Sequence, residues 1–131
     1  MIIMDTCAIL WDALDPSTLT VKAKKAINKA DKNGALFMCD ISLWEIAMLI
    51  KRQRIEIEET PANFLRLVLS ARNYSIAAIS LEIAELSVTL DNEINNDQAD
   101  RIIVATSILK QAPIVTADNN LIHARIVETI W

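Results

Sequence analysis

Glycine is almost missing from this chain. Gly34 stands alone among 131 residues, which excludes glycine-rich phosphate loops and the dinucleotide fingerprint, since both need several glycines for backbone to approach phosphate. Histidine is as scarce, with His123 alone, and the two cysteines, Cys7 and Cys39, lie far apart. A Cys/His zinc site therefore lacks ligands, and any bound metal must be held by oxygen. Both cysteines read as small core residues of a chain whose thiols stay reduced. Long apolar runs are missing too. The stretch from Ile102 to Leu109 falls well short of the roughly 18 residues that suggest a membrane span. The opening Met1-Ile2-Ile3-Met4-Asp5 has neither the basic nor the long apolar region of a secretory signal, so a cytoplasmic location is expected. Positive charge is not in excess, with 13 Lys and Arg against 17 Asp and Glu. A broad phosphate-binding surface is thus not indicated by the sum. The distribution matters more: Lys22, Lys24, Lys25, Lys29 and Lys32 crowd one segment, and Lys51, Arg52 and Arg54 another. Both runs read first as solvated helix faces.

Apolar residues are what the chain has in quantity. At 53% hydrophobic and 23% charged, residues 1–131 should form one globular domain with a substantial core. Met1 to Met4 reads as a buried strand, followed by a helix from Thr6 to Leu14 that stops near Asp15-Pro16. Thr20 caps a second helix to about Lys32, with Gly34 as its stop. Ala35 to Cys39 is a second strand, and a helix from Ser42 to about Arg54 follows. Thr60-Pro61 opens another helix through Arg72. Tyr74 to Ile79 reads as a strand, Ser80 caps a helix over 81–90, and 92–96 is polar and loop-like. A helix from about Asp97 to Gln111 ends before Pro113, Ile114 to Thr116 makes a fourth strand, and 126–130 a fifth. Such alternation predicts an α/β fold of three layers: a central, mainly parallel sheet of four to five strands covered by helices on both faces.

The acids then stand out. Ligands of open α/β sheets bind beyond the carboxyl ends of the strands, and Asp5 and Asp118 lie at or just past two such ends. Either acid taken singly is explained as well by capping the next helix. Asp100 opens a helix that continues Arg-Ile-Ile-Val-Ala-Thr-Ser-Ile-Leu, apolar nearly all round, so its charge lies near the interior and needs a partner or a metal. Asp97, three residues earlier, shares that helix face, though the positive end of the helix dipole also favours acids there. Glu45 is ambiguous, because Ser42-Leu43-Trp44-Glu45 has the Ser-x-x-Glu spacing of a capping box. Converging carboxylates repel one another unless a cation neutralises them. Oxygen ligands point to Mg²⁺ or Mn²⁺, an arrangement suited to phosphodiester hydrolysis.

Four segments in order, Asp5-Thr6-Cys7-Ala8-Ile9-Leu10-Trp11, Ile41-Ser42-Leu43-Trp44-Glu45-Ile46-Ala47, Asp97 to Thr106, and Val115-Thr116-Ala117-Asp118, resemble the PIN-domain nucleases, and specifically VapC-type toxins of bacterial toxin–antitoxin pairs. The resemblance spans nearly the whole chain. It implies a single PIN-like nuclease domain that cuts RNA, tRNA or rRNA, with Mg²⁺ or Mn²⁺. It also implies that Asp5, Glu45, Asp100 and Asp118 are the metal-binding and catalytic acids, with Asp97 accessory. A cognate antitoxin and a homodimer are implied as partners, the antitoxin entering the acid pocket with Arg or Lys and using apolar contacts along helices 43–54 and 62–72. Close relatives often carry His where Cys7 stands, and His-Arg-Asp-Pro in place of Asn95-Asn96-Asp97-Gln98.

Thr6 and Thr116 can hydrogen-bond the acids or their water, although strand-end threonines more often satisfy local backbone. Arg101 is expected to pair with a carboxylate, or else to meet RNA phosphate. Trp11 and Trp44 are expected in the core or under a partner helix, and His123 has no assigned role. Two other readings compete. A PIN-like module without catalysis that binds protein or RNA is opposed by the retention of all four acids. A phosphotransferase with an Asp5 nucleophile lacks the second Asp two residues on, where Cys7 stands.

Overall fold

Alternation along the strands builds the molecule's two cores. The computed structural model describes residues 1–91, 94 and 96–131, so the loop reading of 92–96 lies in part outside the described residues. The elements are β1 (Ile2–Met4), α1 (Thr6–Leu14), α2 (Val21–Lys32), β2 (Leu36–Cys39), α3 (Asp40–Lys51), α4 (Pro61–Ala71), β3 (Tyr74–Ala77), α5 (Leu81–Thr89), α6 (Gln98–Lys110), β4 (Ile114–Val115), α7 (Asn119–Ala124) and β5 (Thr129–Ile130). Side chains of a strand point alternately to opposite faces. Ile2, Met4, Leu36, Met38 and Val115 accordingly enter one apolar cluster, with Ile9 of α1, Ile27 of α2, Ile46 of α3 and Phe64 and Val68 of α4. Ile3, Cys39 and Ile114 enter the other, with Ile103 and Val104 of α6 and Leu121 of α7. Three layers result, as the alternation predicts.

The sheet order is β3-β2-β1-β4-β5 and every pairing is parallel. The chain winds outward from β1 through β2 to β3, then returns to place β4 on the other side of β1. Between β1 and β4 the winding reverses, and such a switch point opens a crevice at the carboxyl ends of the two strands.

Local chemistry sets most boundaries. Thr20, Thr60 and Ser80 cap α2, α4 and α5 through their hydroxyls, as expected. Gly34 takes φ +64 after α2, a conformation that needs no Cβ, and so stops the helix. Other boundaries differ from the sequence reading. α3 begins at Asp40, directly after β2, and stops at Lys51 before Gln53, whose φ of 57 breaks the helix. β3 ends at Ala77 because the Ile79 N–H bonds the Asp40 carboxylate, at 3.1 Å, instead of extending a strand. α7, which the sequence reading lacks, is a short helix capped by Asp118. The five lysines of α2 are exposed, as are Lys51, Arg52 and Arg54. Among the described residues no helix is long and apolar enough to cross a membrane.

Candidate active site

Asp5 follows β1 at the switch point and is buried, 6% exposed. It caps α1: its Oδ1 accepts the Ala8 N–H at 2.7 Å. Its Oδ2 accepts the hydroxyl proton of Thr116, the residue just past β4. The same Thr116 oxygen accepts the Asp118 N–H at 3.0 Å. One threonine therefore ties together the acids of the two strands that flank the crevice. Thr116 thus does more than satisfy local backbone, because it stands between two strands adjacent in space but remote in sequence. Asp118 itself caps α7, accepting the Asn120 N–H at 2.8 Å.

The capping-box reading of Glu45 is not realised. Since α3 starts at Asp40, Ser42 lies inside the first turn and Glu45 one turn further on. The Ser42 hydroxyl is fully buried and pairs with the Thr6 hydroxyl at 3.0 Å. Thr6 also stands beside the Glu45 carboxylate and lowers its proton affinity. A serine that looked like a cap is instead one end of a short chain, Ser42–Thr6–Glu45, joining α3 to the start of α1.

Asp97 caps α6, its carboxylate accepting the Asp100 N–H at 3.1 Å. It stands at the positive end of the helix, as the dipole reading expects, yet the acid also lines the cleft. Asp5, Thr6, Glu45, Asp97, Asp100 and Asp118 line one cleft of about 400 Å³, together with Cys7, Trp11, Leu49 and Ala117. A larger groove of about 660 Å³ between α1 and α4 has, among the described residues, Asp12 as its one acid, already paired with Arg72. The acids are concentrated in the smaller space.

Electrostatics mark the same cleft. Burial pushes the Asp5 carboxyl up to about 6, against the hydrogen bonds from Thr116 and Ala8, and the charges of Asp118 and Glu45 add to the rise. Partial burial also raises Glu45, opposed by Thr6 and helped by Asp97. Burial and the four acids Asp5, Glu45, Asp100 and Asp118 push the Cys7 thiol up to about 11. No three such side chains among the described residues already stand close enough to enclose one ion. The donor chemistry nevertheless fits Mg²⁺ or Mn²⁺: the charged donors are all carboxylates, and Mg²⁺ commonly takes one or two of these and fills its remaining positions with water. A cation would also relieve a charge that Asp5 carries at a cost.

The sequence model of the PIN domain matches residues 2–127. The chain belongs to the PIN-domain family. Ribonuclease VapC22 of Mycobacterium tuberculosis is 30% identical over 133 residues, covering 99% of this PIN domain and 98% of the relative. A toxin–antitoxin complex from Klebsiella pneumoniae contains a chain of the same fold, at 25% identity and TM-score 0.64, covering 97% of this chain and 95% of that one. VapBC2 from Rickettsia felis, bound to a DNA fragment from its promoter, matches in fold at 18% identity and TM-score 0.70, over 98% and 97% of the two chains.

Several sequence expectations for this PIN domain need correction. Cys7 is exposed and lines the cleft, whereas Cys39 is the core residue expected. Arg101 meets no carboxylate among the described residues: it donates to the carbonyls of Ser87 (2.8 Å), Leu90 and Ile94 (3.3 Å), closing the C-terminal end of α5. Carbonyls left bare at a helix end attract a guanidinium. Trp44 is 57% exposed and so outside the core, which leaves the partner-helix half of its expectation. Leu49 and Ala117 were missed as cleft residues, and Ser42 as the partner of Thr6. The one available signal was periodicity, Leu49 lying four residues after Glu45 on the same helix face.

Proposed function

We propose that this PIN domain is a metal-dependent endoribonuclease, hydrolysing RNA phosphodiester bonds in tRNA or rRNA and acting in the cytoplasm as the toxin of a toxin–antitoxin pair. The observation that carries the reading is the gathering of Asp5, Glu45, Asp100 and Asp118 in one cleft at the switch point. The full-length similarity to a ribonuclease supports it. Asp5, Asp100 and Asp118, with Glu45 beside them, would hold Mg²⁺ or Mn²⁺. When bound, that ion supplies a Lewis acid for the phosphate and a lower pKa for water. The chain's own part is orientation and proton handling. Thr116 sets the rotamer of Asp5 and the position of Asp118. Thr6, braced by Ser42, aims Glu45, whose raised proton affinity suits it to accept a proton from water. Asp97 is an accessory acid that raises Glu45 further.

Labelled total tRNA and rRNA incubated with Mn²⁺ or with EDTA test the reading, with cleavage expected in Mn²⁺ alone. Glu45→Gln should lower that cleavage by at least tenfold, about 1.4 kcal/mol of transition-state stabilisation. Its melting temperature in EDTA should not fall, since Gln removes a charge that burial disfavours and there is no cap to lose. Full activity in Glu45→Gln would remove Glu45 from the site. No cleavage by the unmutated chain would favour a PIN-like module that binds protein or RNA without catalysis.

The cognate antitoxin is expected to place an Arg or Lys in the acid cleft, where it replaces the cation. It should also cover Trp44 on α3 and Leu67 on α4, 57% and 58% exposed. A structure of the complex in which the partner avoids both features would sink this expectation. As a homodimer the chain has Ile76, Ile79 and Leu81 exposed along and beside the edge strand β3 as an apolar contact face.

A further inference from the structure

The acid cleft contains residues for which phosphodiester hydrolysis has no use. Its carboxylates and Thr6 serve an ion and a phosphate, whereas Trp11, Leu49, Cys7 and Ala117 are apolar or soft and bind neither. Cys7 and Trp11 lie one turn apart on α1, so the face of that helix that opens the site also presents the indole. Trp11 is half-buried, and its ring is braced by Trp131, with centroids 5.4 Å apart and planes tilted by 50°. Such a tilted pair holds an aromatic ring in one orientation. Among the described residues the lining includes no Asn, Gln, Arg, Lys or His, hence no amide or guanidinium placed to read a base edge.

We propose that Trp11 is a stacking platform for an RNA base beside the scissile phosphate, held in place by Trp131. The proposal rests on the ribonuclease reading above and adds to it how the substrate is gripped. A base bound by its face and not its edge is recognised with little regard to sequence, because every base has a π-face. The larger faces of purines make them the better occupants. Negative charge around the phosphate disfavours RNA until a cation enters, and the stacked base offsets part of that repulsion. Trp11 is then a substrate-binding residue, and Trp131 a positioning residue that acts through it.

Binding can be read without cleavage, by tryptophan fluorescence with 2′-O-methyl RNA hexamers in Ca²⁺. A Trp44→Phe background removes emission from the exposed indole. RNA should quench the remaining emission, and an abasic site at one position of the hexamer should abolish most of the quenching. Affinities of the variants, which lose the reporting indole, are read from the anisotropy of a fluorescein-labelled hexamer: Trp11→Leu, which keeps an apolar side chain but cannot stack, should lose about tenfold, within the 1–3 kcal/mol per base typical of aromatic stacking. Trp11→Phe should recover most of that loss. Trp131→Leu leaves the cleft lining intact and should weaken binding by a smaller factor, about threefold. In cleavage with Mn²⁺, Trp11→Leu should raise KM with little change in kcat. Unchanged affinity in Trp11→Leu, or failure of Phe to restore it, overturns the proposal. Should Trp11→Leu fail to fold, the abasic scan on the parent still decides, because quenching insensitive to every abasic position overturns stacking. If the unmutated chain cuts no RNA in Mn²⁺, the ribonuclease reading fails. If it cuts RNA while Trp11→Leu keeps its KM, only the stacking proposal fails.

Discussion

Asp5→Asn is expected to lower RNA cleavage by at least a hundredfold and, in the same protein without metal, to raise the melting temperature by several degrees. The two effects have one origin. Asp5 is the most buried acid of the cleft, flanked by Asp118 and Glu45, and its carboxyl is held at about 6 against an ordinary 3.8. A tenfold change in proton affinity is worth about 1.4 kcal/mol, so carrying this charge at neutral pH costs the fold on the order of 3 kcal/mol. Asparagine keeps the cap on the Ala8 N–H and removes the charge. On the proposed mechanism the same charge would hold the ion, and a hundredfold loss corresponds to about 2.7 kcal/mol of transition-state stabilisation.

The pH dependence follows with a definite sign. The folded carboxyl binds its proton more tightly than the unfolded one, so the stabilisation from protonation is complete below about 3.8 and is lost as pH rises through about 6. The gap in melting temperature between Asp5→Asn and the parent should therefore be widest above pH 7 and should close toward pH 4. Scanning calorimetry in EDTA across that range measures it. A variant no more stable than the parent at pH 8 would falsify the claim that the buried charge is costly.

The largest loss of stability is expected outside the cleft lining, at Arg72→Met. Arg72 follows α4 in extended conformation, and its Nε and Nη2 donate to both oxygens of Asp12 on α1, at 2.9 and 2.8 Å. Its Nη1 donates to Asn28 at 2.8 Å and Asp31 at 3.2 Å, both on α2. Asp31 in turn accepts the Asn73 N–H at 2.7 Å, which leads the chain into β3. One guanidinium thus joins α1, α2 and the entry to the edge strand. The hydrogen bonds and charge of Asp12, and then those of Asp31, push the Arg72 pKa up despite its partial burial. Side-chain exposure is 22% for Arg72 and 9% for Asp12, so solvent screens the pair only in part. Methionine keeps the apolar stem and leaves the Asp12 charge without its partner. Breaking a buried pair from one side typically costs about 3–5 kcal/mol, and partial exposure brings the expectation here to about 2–3 kcal/mol. The melting temperature should fall by roughly 10 °C. Arg72 does not line the acid cleft, so cleavage per folded molecule should be unchanged well below the melting point. A second change, Asp12→Asn, should restore part of the loss, and a double variant no better than Arg72→Met would show that the pair is not the cause.

Much of this was legible in the sequence because it depends on periodicity and on neighbours in the chain. The apolar run of β1, the hydroxyl caps at Thr20, Thr60 and Ser80, the stop at Gly34 and the buried sides of α6 are local consequences of side-chain chemistry. So is the placing of Asp5 and Asp118 beyond strand ends, from which a shared crevice was expected. Tertiary structure decided what each neighbour does. Whether Ser42 caps a helix or braces Thr6 depends on where α3 begins, and that is set by its direct exit from β2. Whether Thr116 serves its own backbone or Asp5 depends on β4 lying next to β1, 111 residues apart in sequence. Arg101, Arg72 and Trp131 found partners that no short-range pattern indicates. The residue types and their local spacing are written in the chain. Which hydroxyl meets which carboxylate is settled only when sheet order brings distant segments within hydrogen-bond reach, because those contacts are short-ranged in space and unrestricted in sequence.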